Sequence, residues 1–221
     1  MNNPEDSCVW NSMMPAVMSA DVPSPDRALV VLARDGERDA LEALARRVGR
    51  SAYVFALQLT GRAETAHDIA QDSVLRFFQH LDRFDARRPI DPWLYQIVRN
   101  RVRDLMRRES LRRHESLDAW MEQGRPEAVD ASADPAADAE RSDLQRLIWR
   151  AVSQLTESHR EIFVLRDYHD LSYREIAEVL SIPQGTVMSR LHAARKSLRE
   201  ILVAEEGTSL GGPPAGGAID E

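Results

Sequence analysis

The stretch from Leu171 to Leu202, LSYREIAEVLSIPQGTVMSRLHAARKSLREIL, decides how the C-terminal part of the chain folds. Ser172 and Glu175 predict a capped helix start, because the hydroxyl and the carboxylate can each bond one free N–H group. Pro183 then interrupts the helical pattern, since proline has no N–H to donate. A second helix follows, with apolar residues three or four positions apart: Val187, Leu191, Ala194, Leu198 and Ile201.

The other faces of this second helix carry hydroxyl and basic side chains: Thr186, Ser189, Arg190, Arg195, Lys196 and Arg199. A short capped helix, a tight turn and a helix with such a face indicate a DNA-binding helix-turn-helix. The alternative is an ordinary helical hairpin whose charges are only solvated.

The composition excludes several classes of protein. The chain has 221 residues, of which 43% are hydrophobic, so it can form one large or two small domains. Cys8 is the only cysteine, which excludes an intrachain disulfide and a multi-cysteine zinc site. The sequence has no Gly-rich phosphate loop, no GxSxG and no HExxH motif, so we expect no catalytic residues, no metal and no cofactor.

No apolar run is long enough to span a membrane, and the N-terminus lacks a secretory signal pattern. We therefore expect a cytoplasmic protein without membrane insertion. The net charge of −7 argues against nucleic-acid binding only until the distribution of the charge is considered.

The rest of the chain predicts an all-α fold of two small helical domains. Helical periods with breaks at Gly36 and Gly61 predict a first domain over residues 26–113, whose last helix starts near Pro92. A second domain is expected over 144–204. The Ala-, Asp- and Pro-rich residues 114–143 are expected to form a flexible acidic linker, and residues 1–25 and 205–221 to be disordered.

The basic charge is concentrated before this linker. Residues 87–113 contain nine arginines against Asp91, Asp104 and Glu109, whereas residues 114–143 contain nine acidic residues against two arginines. Arginines interspersed with Trp93 and Tyr95 suit single-stranded DNA, whose bases stack on aromatic rings. The alternative is that Trp93 is a core residue and that the arginines are solvated or pair with the linker.

Three segments, in this order, resemble a bacterial sigma factor. They are AETAHDIAQDSVLRFFQHLDRF (63–84), RRPIDPWLYQIVRNRVRDLMRR (87–108) and LTESHREIFVLRDYHDLSYREIAEVLSIPQGTVMSRLHAARKSL (155–198). Because there is no room for other sigma domains, the chain is similar to the extracytoplasmic-function (ECF) group. The resemblance covers about residues 27–113 and 144–203, as regions 2 and 4 of such a factor.

The resemblance implies binding to core RNA polymerase, at the clamp of its largest subunit and at its flap, and to promoter DNA. The clamp would be contacted by Asp68, Gln71 and Asp72. The loop Asp85–Asp91 and the following helix would recognise and melt the −10 element, through Asp85, Arg87, Arg88, Trp93, Asn100, Arg103 and Arg107. The −35 element would be read as duplex through Arg174, Thr186, Ser189, Arg190, Arg195 and Lys196.

The same resemblance implies an anti-sigma factor as a further partner and no stable homo-oligomer. From the residues alone, two other hypotheses stay open. A conventional dimeric helix-turn-helix regulator would leave the arginine-rich helix unexplained, and a protein-interaction module would not need two basic faces. Asp68 and Asp72 could also bind a metal or act as an acid/base pair, but a solvated or partner-binding face is the simpler interpretation.

Overall fold

The computed structural model describes residues 25–115 and 135–209, with side chains described for residues 26–109 and 145–204. All regular secondary structure within these ranges is helical, which confirms the predicted all-α class. Most of the two termini predicted to be disordered (1–25 and 205–221) and the middle of the predicted linker lie outside the described residues.

Four α-helices form the first domain. They are α1 (Pro25–Arg34), α2 (Arg38–Thr60), α3 (Ala63–Gln79) and α4 (Ile90–Glu115), with a short 3-10 helix at Leu81–Arg83 between α3 and α4. Gly61 ends α2 in the left-handed region, at a φ of 67°, and its N–H bonds to the carbonyl of Leu57. Phe55, Phe77 and Leu94 are fully buried where α2, α3 and α4 pack together.

The second domain consists of α5 (Pro135–Gln154), α6 (Glu157–Phe163), α7 (Tyr173–Leu180) and α8 (Gln184–Ser209), with a π-helical turn at Val164–Tyr168 after α6. The apolar stripe predicted for α8 is confirmed, since Val187, Leu191, Ala194 and Leu198 are buried. They pack with Ile176 of α7 and with the apolar side of α6.

Several helix bounds differ from the sequence prediction. Helix α4 begins at Ile90 rather than near Pro92, because proline is accommodated anywhere in a first turn, where its missing N–H would have no helical partner. Helices also extend into both ends of the predicted 114–143 linker, to Glu115 and from Pro135. Helix α8 continues to Ser209, beyond the predicted end at residue 204.

The two domains contact each other, mainly through α4 of the first and α7 of the second. Hydrogen bonds also connect α2 with the segment from α6 to the π-helical turn. The arginine-rich helix therefore has one side against its own domain and another side against the second domain.

Candidate nucleic-acid interface

The loop before α4 is only partly available to a ligand. Asp85 accepts a hydrogen bond from the backbone N–H of Arg87 at 3.0 Å, and both side chains are exposed. Ile90, in contrast, is fully buried, and Asp91 is bonded to Arg47 of α2 at 3.0 and 3.1 Å. The loop predicted to contact DNA over Asp85–Asp91 thus presents its first half to solvent, while its second half anchors the start of α4.

Trp93 packs within the first domain. Its ring stacks on Phe84 with a centroid separation of 4.8 Å and an interplanar angle of 17°, and it lies 4.8 Å from the Phe77 ring. The indole is half-buried. This arrangement favours the alternative interpretation of Trp93 as a core residue, with part of its surface still accessible.

The three residues predicted on the exposed side of α4 have different environments. Asn100 and Arg107 are exposed. Arg103 instead donates two hydrogen bonds to Glu161 of α6, at 3.1 and 3.2 Å, and lies 3.5 Å from Glu157. Arg88 in the preceding loop also pairs across the domains, with Glu178 of α7. Two of the predicted −10 contacts are therefore engaged by the second domain.

The residues predicted to contact polymerase from α3 also differ in exposure. Asp68 and Gln71 are exposed. Asp72 forms ion pairs with Arg101 of α4 and, at 3.6 Å, with Arg76. Asp72 thus connects α3 to α4, while Asp68 and Gln71 offer an outward surface. Gln71 also lines a shallow, mainly apolar groove between α2 and α3.

The helix-turn-helix has the predicted local geometry. The backbone N–H of Ser172 donates to Glu175 at 2.8 Å, and the N–H of Glu175 donates to the Ser172 hydroxyl at 3.3 Å, which confirms the capping box. Ser181 turns the chain with a φ of 54°, a left-handed conformation, immediately before Ile182 and Pro183. These contacts fix the angle at which α8 leaves α7.

The predicted −35 residues of α8 lie on more than one face of the helix and differ in exposure. Ser189, Arg195 and Lys196 are exposed, whereas Thr186 and Arg190 are half-buried. Arg190 lies three residues after buried Val187 and four before buried Ala194, so it borders the apolar stripe. On α7, Arg174 is exposed and lies 3.4 Å from Glu178.

Some of these cations already have acidic partners. Arg195 forms a bidentate ion pair with Asp167 in the π-helical turn. Lys196 lies 3.9 Å from Glu200, one turn further along α8. Met188 of α8 is also exposed, with an exposed fraction of 58%. The sequence prediction does not include it among the binding residues.

A buried ion cluster connects the two domains, and the sequence reasoning did not identify it. Glu161 is 1% exposed and lies 3.1 Å from Nε of Arg99, which is itself buried, as well as bonding to Arg103. Arg99 also donates to the carbonyl of Val179 in α7 at 3.3 Å. One carboxylate of α6 thus holds two arginines of α4.

His169 forms a second polar connection. Its Nδ1 lies 2.9 Å from the Tyr95 hydroxyl of α4, and its Nε2 lies 2.7 Å from the Gln58 Oε1 of α2. Burial lowers the pKa of His169 to about 4, so the ring is neutral near pH 7. A neutral ring can accept from the tyrosine and donate to the amide oxygen at the same time. Burial also raises the pKa of the Tyr95 hydroxyl, which keeps it a donor.

One signal in the sequence points to this interface. Tyr95, Arg99 and Arg103 are spaced four residues apart, so they lie on one side of α4. Glu161 introduces a carboxylate at the start of an otherwise apolar run, EIFVL. A buried acid beside a row of arginines suggests an ion pair, but the sequence alone does not indicate which helices meet.

The described ranges show neither a candidate metal site nor a membrane-spanning helix. Residues 25–115 and 135–209 contain no group of three or more His, Cys, Asp or Glu side chains arranged to bind a metal ion. Within the same ranges, none of the helices is both long enough and apolar enough to cross a bilayer.

Comparison with known proteins matches both domains. The family model "Sigma-70 region 2" matches residues 44–112, and "Sigma-70, region 4" matches residues 145–198. The chain is 35% identical over 149 residues to the ECF RNA polymerase sigma factor SigL of Mycobacterium tuberculosis, covering 66% of this chain and 78% of that protein. It is 28% identical over 172 residues to the ECF RNA polymerase sigma factor SigW of Bacillus subtilis, covering 76% of this chain and 92% of that protein.

Two solved structures share this fold. The sigma factor RpoE of Bartonella quintana, in complex with the anti-sigma factor NepR, superimposes with a TM-score of 0.61 at 23% identity, covering 74% of this chain and 96% of that one. CnrH, in complex with the cytosolic domain of CnrY, superimposes with a TM-score of 0.57 at 26% identity, covering 81% of this chain and 97% of that one. The chain therefore belongs to the ECF group of the sigma-70 family, the sigma factors that act in transcription initiation by RNA polymerase.

Proposed function

We propose that this sigma factor binds core RNA polymerase through α3, reads the −10 element with the start of α4, and reads the −35 element with α8. The observation that carries this division is the presence, in one chain, of a capped helix-turn-helix and of a separate arginine-rich helix, each in its own domain. A dimeric regulator would need only the first of these, and so that alternative is not favoured.

The −35 role of α8 is supported by its geometry. A helix presented at a fixed angle fits the major groove, where side chains reach base edges. Ser189 and Lys196 are exposed on α8, and Arg174 is exposed at the start of α7. We assign Thr186 and Arg190, which are half-buried beside the apolar stripe, to contacts with the DNA backbone. Arg195 would exchange Asp167 for a phosphate.

The −10 role of α4 is supported by an exposed polar edge beside an aromatic cluster. Asp85, Arg87, Asn100 and Arg107 are exposed around the start and the outer side of the helix. The accessible part of Trp93 gives a rigid apolar surface beside them, because Phe77 and Phe84 fix the indole. Strand opening requires contacts that offset the cost of unstacking bases, and stacking on aromatic rings is one such contact.

Core binding is assigned to the outward side of α3. Asp68 and Gln71 are its exposed members, with Asp72 holding α3 against α4 behind them. By family membership we also assign a flap contact to the second domain and expect an anti-sigma factor that covers these surfaces. The protein would act in the cytoplasm, where polymerase and promoters are, and would have no catalytic activity of its own.

The test is reconstitution with purified core polymerase on fragmented genomic DNA, followed by mapping of the RNA 5′ ends. We expect starts that require this chain and that share two upstream sequence blocks. The proposal would be refuted if the RNA 5′ ends were the same with and without this chain. It would also be refuted if the chain bound core polymerase but produced no RNA 5′ ends of its own. A matched reaction with Asp68→Lys should lose these starts together with core binding.

A further inference from the structure

Met188 is an apolar side chain on the exposed, basic side of α8. We propose that it is a specificity-determining residue, which reads the C5 methyl group of a thymine in the −35 element. The inference deepens the proposed function, since it rests on α8 entering the major groove of that element.

The core of the second domain packs without the side chain of Met188. Val187 and Leu191, one residue before it and three residues after it, are buried, whereas Met188 is 58% exposed. Gln184 and His192, one helical turn to either side, are also exposed. Single exposed apolar residues are common on protein surfaces, so the exposure alone does not assign a role. The surroundings of the side chain do.

The charge around Met188 indicates a polyanion as the ligand of this face. Residues 184–199 of α8 contain no acidic side chain and four basic ones, Arg190, Arg195, Lys196 and Arg199. Phosphates are attracted to such a helix. An apolar protein surface docking on the methionine would instead have to bury neighbouring cations without partners, which is costly. The charge therefore favours DNA over a protein as the surface that Met188 contacts.

The start of α8 leaves room for DNA to approach Met188. Gly185 precedes it by three residues on the same side of the helix, and a Cβ atom there would meet no atom within 4 Å. In helix-turn-helix proteins, the N-terminal residues of the second helix contact the base edges. Met188 is the fifth residue of α8, so it lies in this part of the helix. Arg195 and Lys196 lie about two turns further along, where phosphate contacts are expected.

Thymine is the base whose chemistry fits a methionine. In the major groove, the C5 methyl group of thymine is the large apolar feature, whereas the other groups that distinguish the base pairs donate or accept hydrogen bonds. A thioether is only a weak acceptor, so Met188 placed against such a group would leave it without a good partner. Against the methyl group it gains apolar contact, and its flexible, unbranched side chain can adapt to the groove.

The test uses holoenzyme assembled from core polymerase and the full-length chain, on a mapped promoter. Each thymine of the −35 block is replaced in turn by deoxyuridine, which removes the C5 methyl group and keeps every hydrogen-bonding group. Competition with a labelled, unmodified promoter measures the affinity of the wild type and of Met188→Ala. Val203→Ala is the matched control, because Val203 is another exposed apolar residue of α8, about four turns further along.

We expect one of the deoxyuridine substitutions to weaken binding by the wild type about fourfold, the usual effect of one buried methyl-sized group. Met188→Ala should bind the thymine promoter more weakly and lose this sensitivity, whereas Val203→Ala should retain it. Met188→Leu keeps an apolar side chain of similar volume and should retain most of the discrimination. A residue that only stabilised the fold would weaken binding to both DNAs equally, so the lost sensitivity identifies a contact.

The proposal would be overturned if no thymine in the −35 block responded to removal of its methyl group. A response that persists in Met188→Ala would also overturn it, because another residue would then make the contact. So would a Met188→Ala variant that loses affinity for core polymerase with unchanged discrimination on DNA, since that result would identify a protein-docking site.

Scrambling the −35 block tests the proposed function separately. A promoter that responds to scrambling but not to deoxyuridine contradicts only the methyl contact. A promoter that responds to neither contradicts both the methyl contact and the −35 role of α8.

Discussion

The hydroxyl of Tyr95 lies 2.9 Å from Nδ1 of His169, 74 residues later in the chain and in the other domain. The ring is surrounded by Phe55, Tyr95 and Tyr168. This burial lowers its pKa, and the negative charge of Asp91 offsets only part of the effect. Charging this histidine would place a cation in a largely apolar site and remove its acceptor for the tyrosine. The stability of the contact between the domains should therefore depend on pH.

We predict that acidification weakens this contact between the ordinary histidine pKa of about 6.5 and the lowered value of about 4. The pKa is lower with the domains in contact than with the domains apart, so the contribution of His169 is fully present above the upper value and is lost as pH falls to the lower one. By linkage, about 2 kcal/mol should disappear from about pH 7 to about pH 5.

The measurement is urea unfolding of the wild type and of His169→Gln at both pH values. The variant should lose less stability on acidification than the wild type does. An equal pH dependence in the two proteins would show that His169 does not titrate in this range.

Ser172→Ala should destabilise the second domain by about 1 kcal/mol, because the hydroxyl accepts the Glu175 N–H in the capping box at the start of α7. Thermal unfolding measures the loss. Ser189→Ala is a suitable control, since that hydroxyl bonds only the carbonyl one turn earlier, at 3.2 Å. Equal stability of Ser172→Ala and the wild type would mean that the cap does not support the domain.

Arg190→Ala should reduce initiation that depends on the −35 element while leaving core binding intact. The guanidinium borders the apolar stripe of α8, from which it can reach the DNA backbone. Transcription from a promoter with an intact −35 element, compared with one whose −35 block is scrambled, measures the effect. Loss of core binding in this variant would contradict the separation of functions between the domains.

Lys196→Ala should reduce the salt dependence of −35 duplex binding by about one counterion, with a similar loss on every sequence, as expected for a phosphate contact. Anisotropy titrations over a series of salt concentrations give the slope. A loss confined to one −35 sequence would instead assign Lys196 to base recognition.

Asp68→Lys should weaken binding to core polymerase by about tenfold or more, since it reverses an exposed charge at the proposed interface, where like charges cost several kcal/mol. Asp82→Lys is a matched control, because Asp82 is an exposed acid in the same domain but outside α3. Affinity measured by competition with a second, labelled sigma factor reports the difference. If both variants weaken binding equally, the effect is general electrostatics rather than a contact of α3.

Helix ends and buried helix faces could be predicted because each depends on residues that are close together in the sequence. The apolar steps of α8, the Ser172–Glu175 cap and the Gly61 helix end each depend on residues within a few positions. Pro92 indicates the first turn of α4 but not its first residue, which is Ile90.

The contact between the domains could not be predicted in this way. Arg103 and Glu161 are 58 residues apart, across a segment whose sequence does not determine how the domains dock. The sequence therefore predicts that Arg103 is open to DNA, and it does not distinguish Arg99 from the other arginines of α4.

Promoter opening tests the central claim most directly. Permanganate oxidises unpaired thymines, so their reactivity in the −10 block should appear when full-length chain and core polymerase are combined on a mapped promoter. The account predicts reactivity that needs both proteins and that falls when Asn100 and Arg107 are replaced by alanine. A holoenzyme that assembles on this promoter and leaves those thymines unreactive would contradict the account.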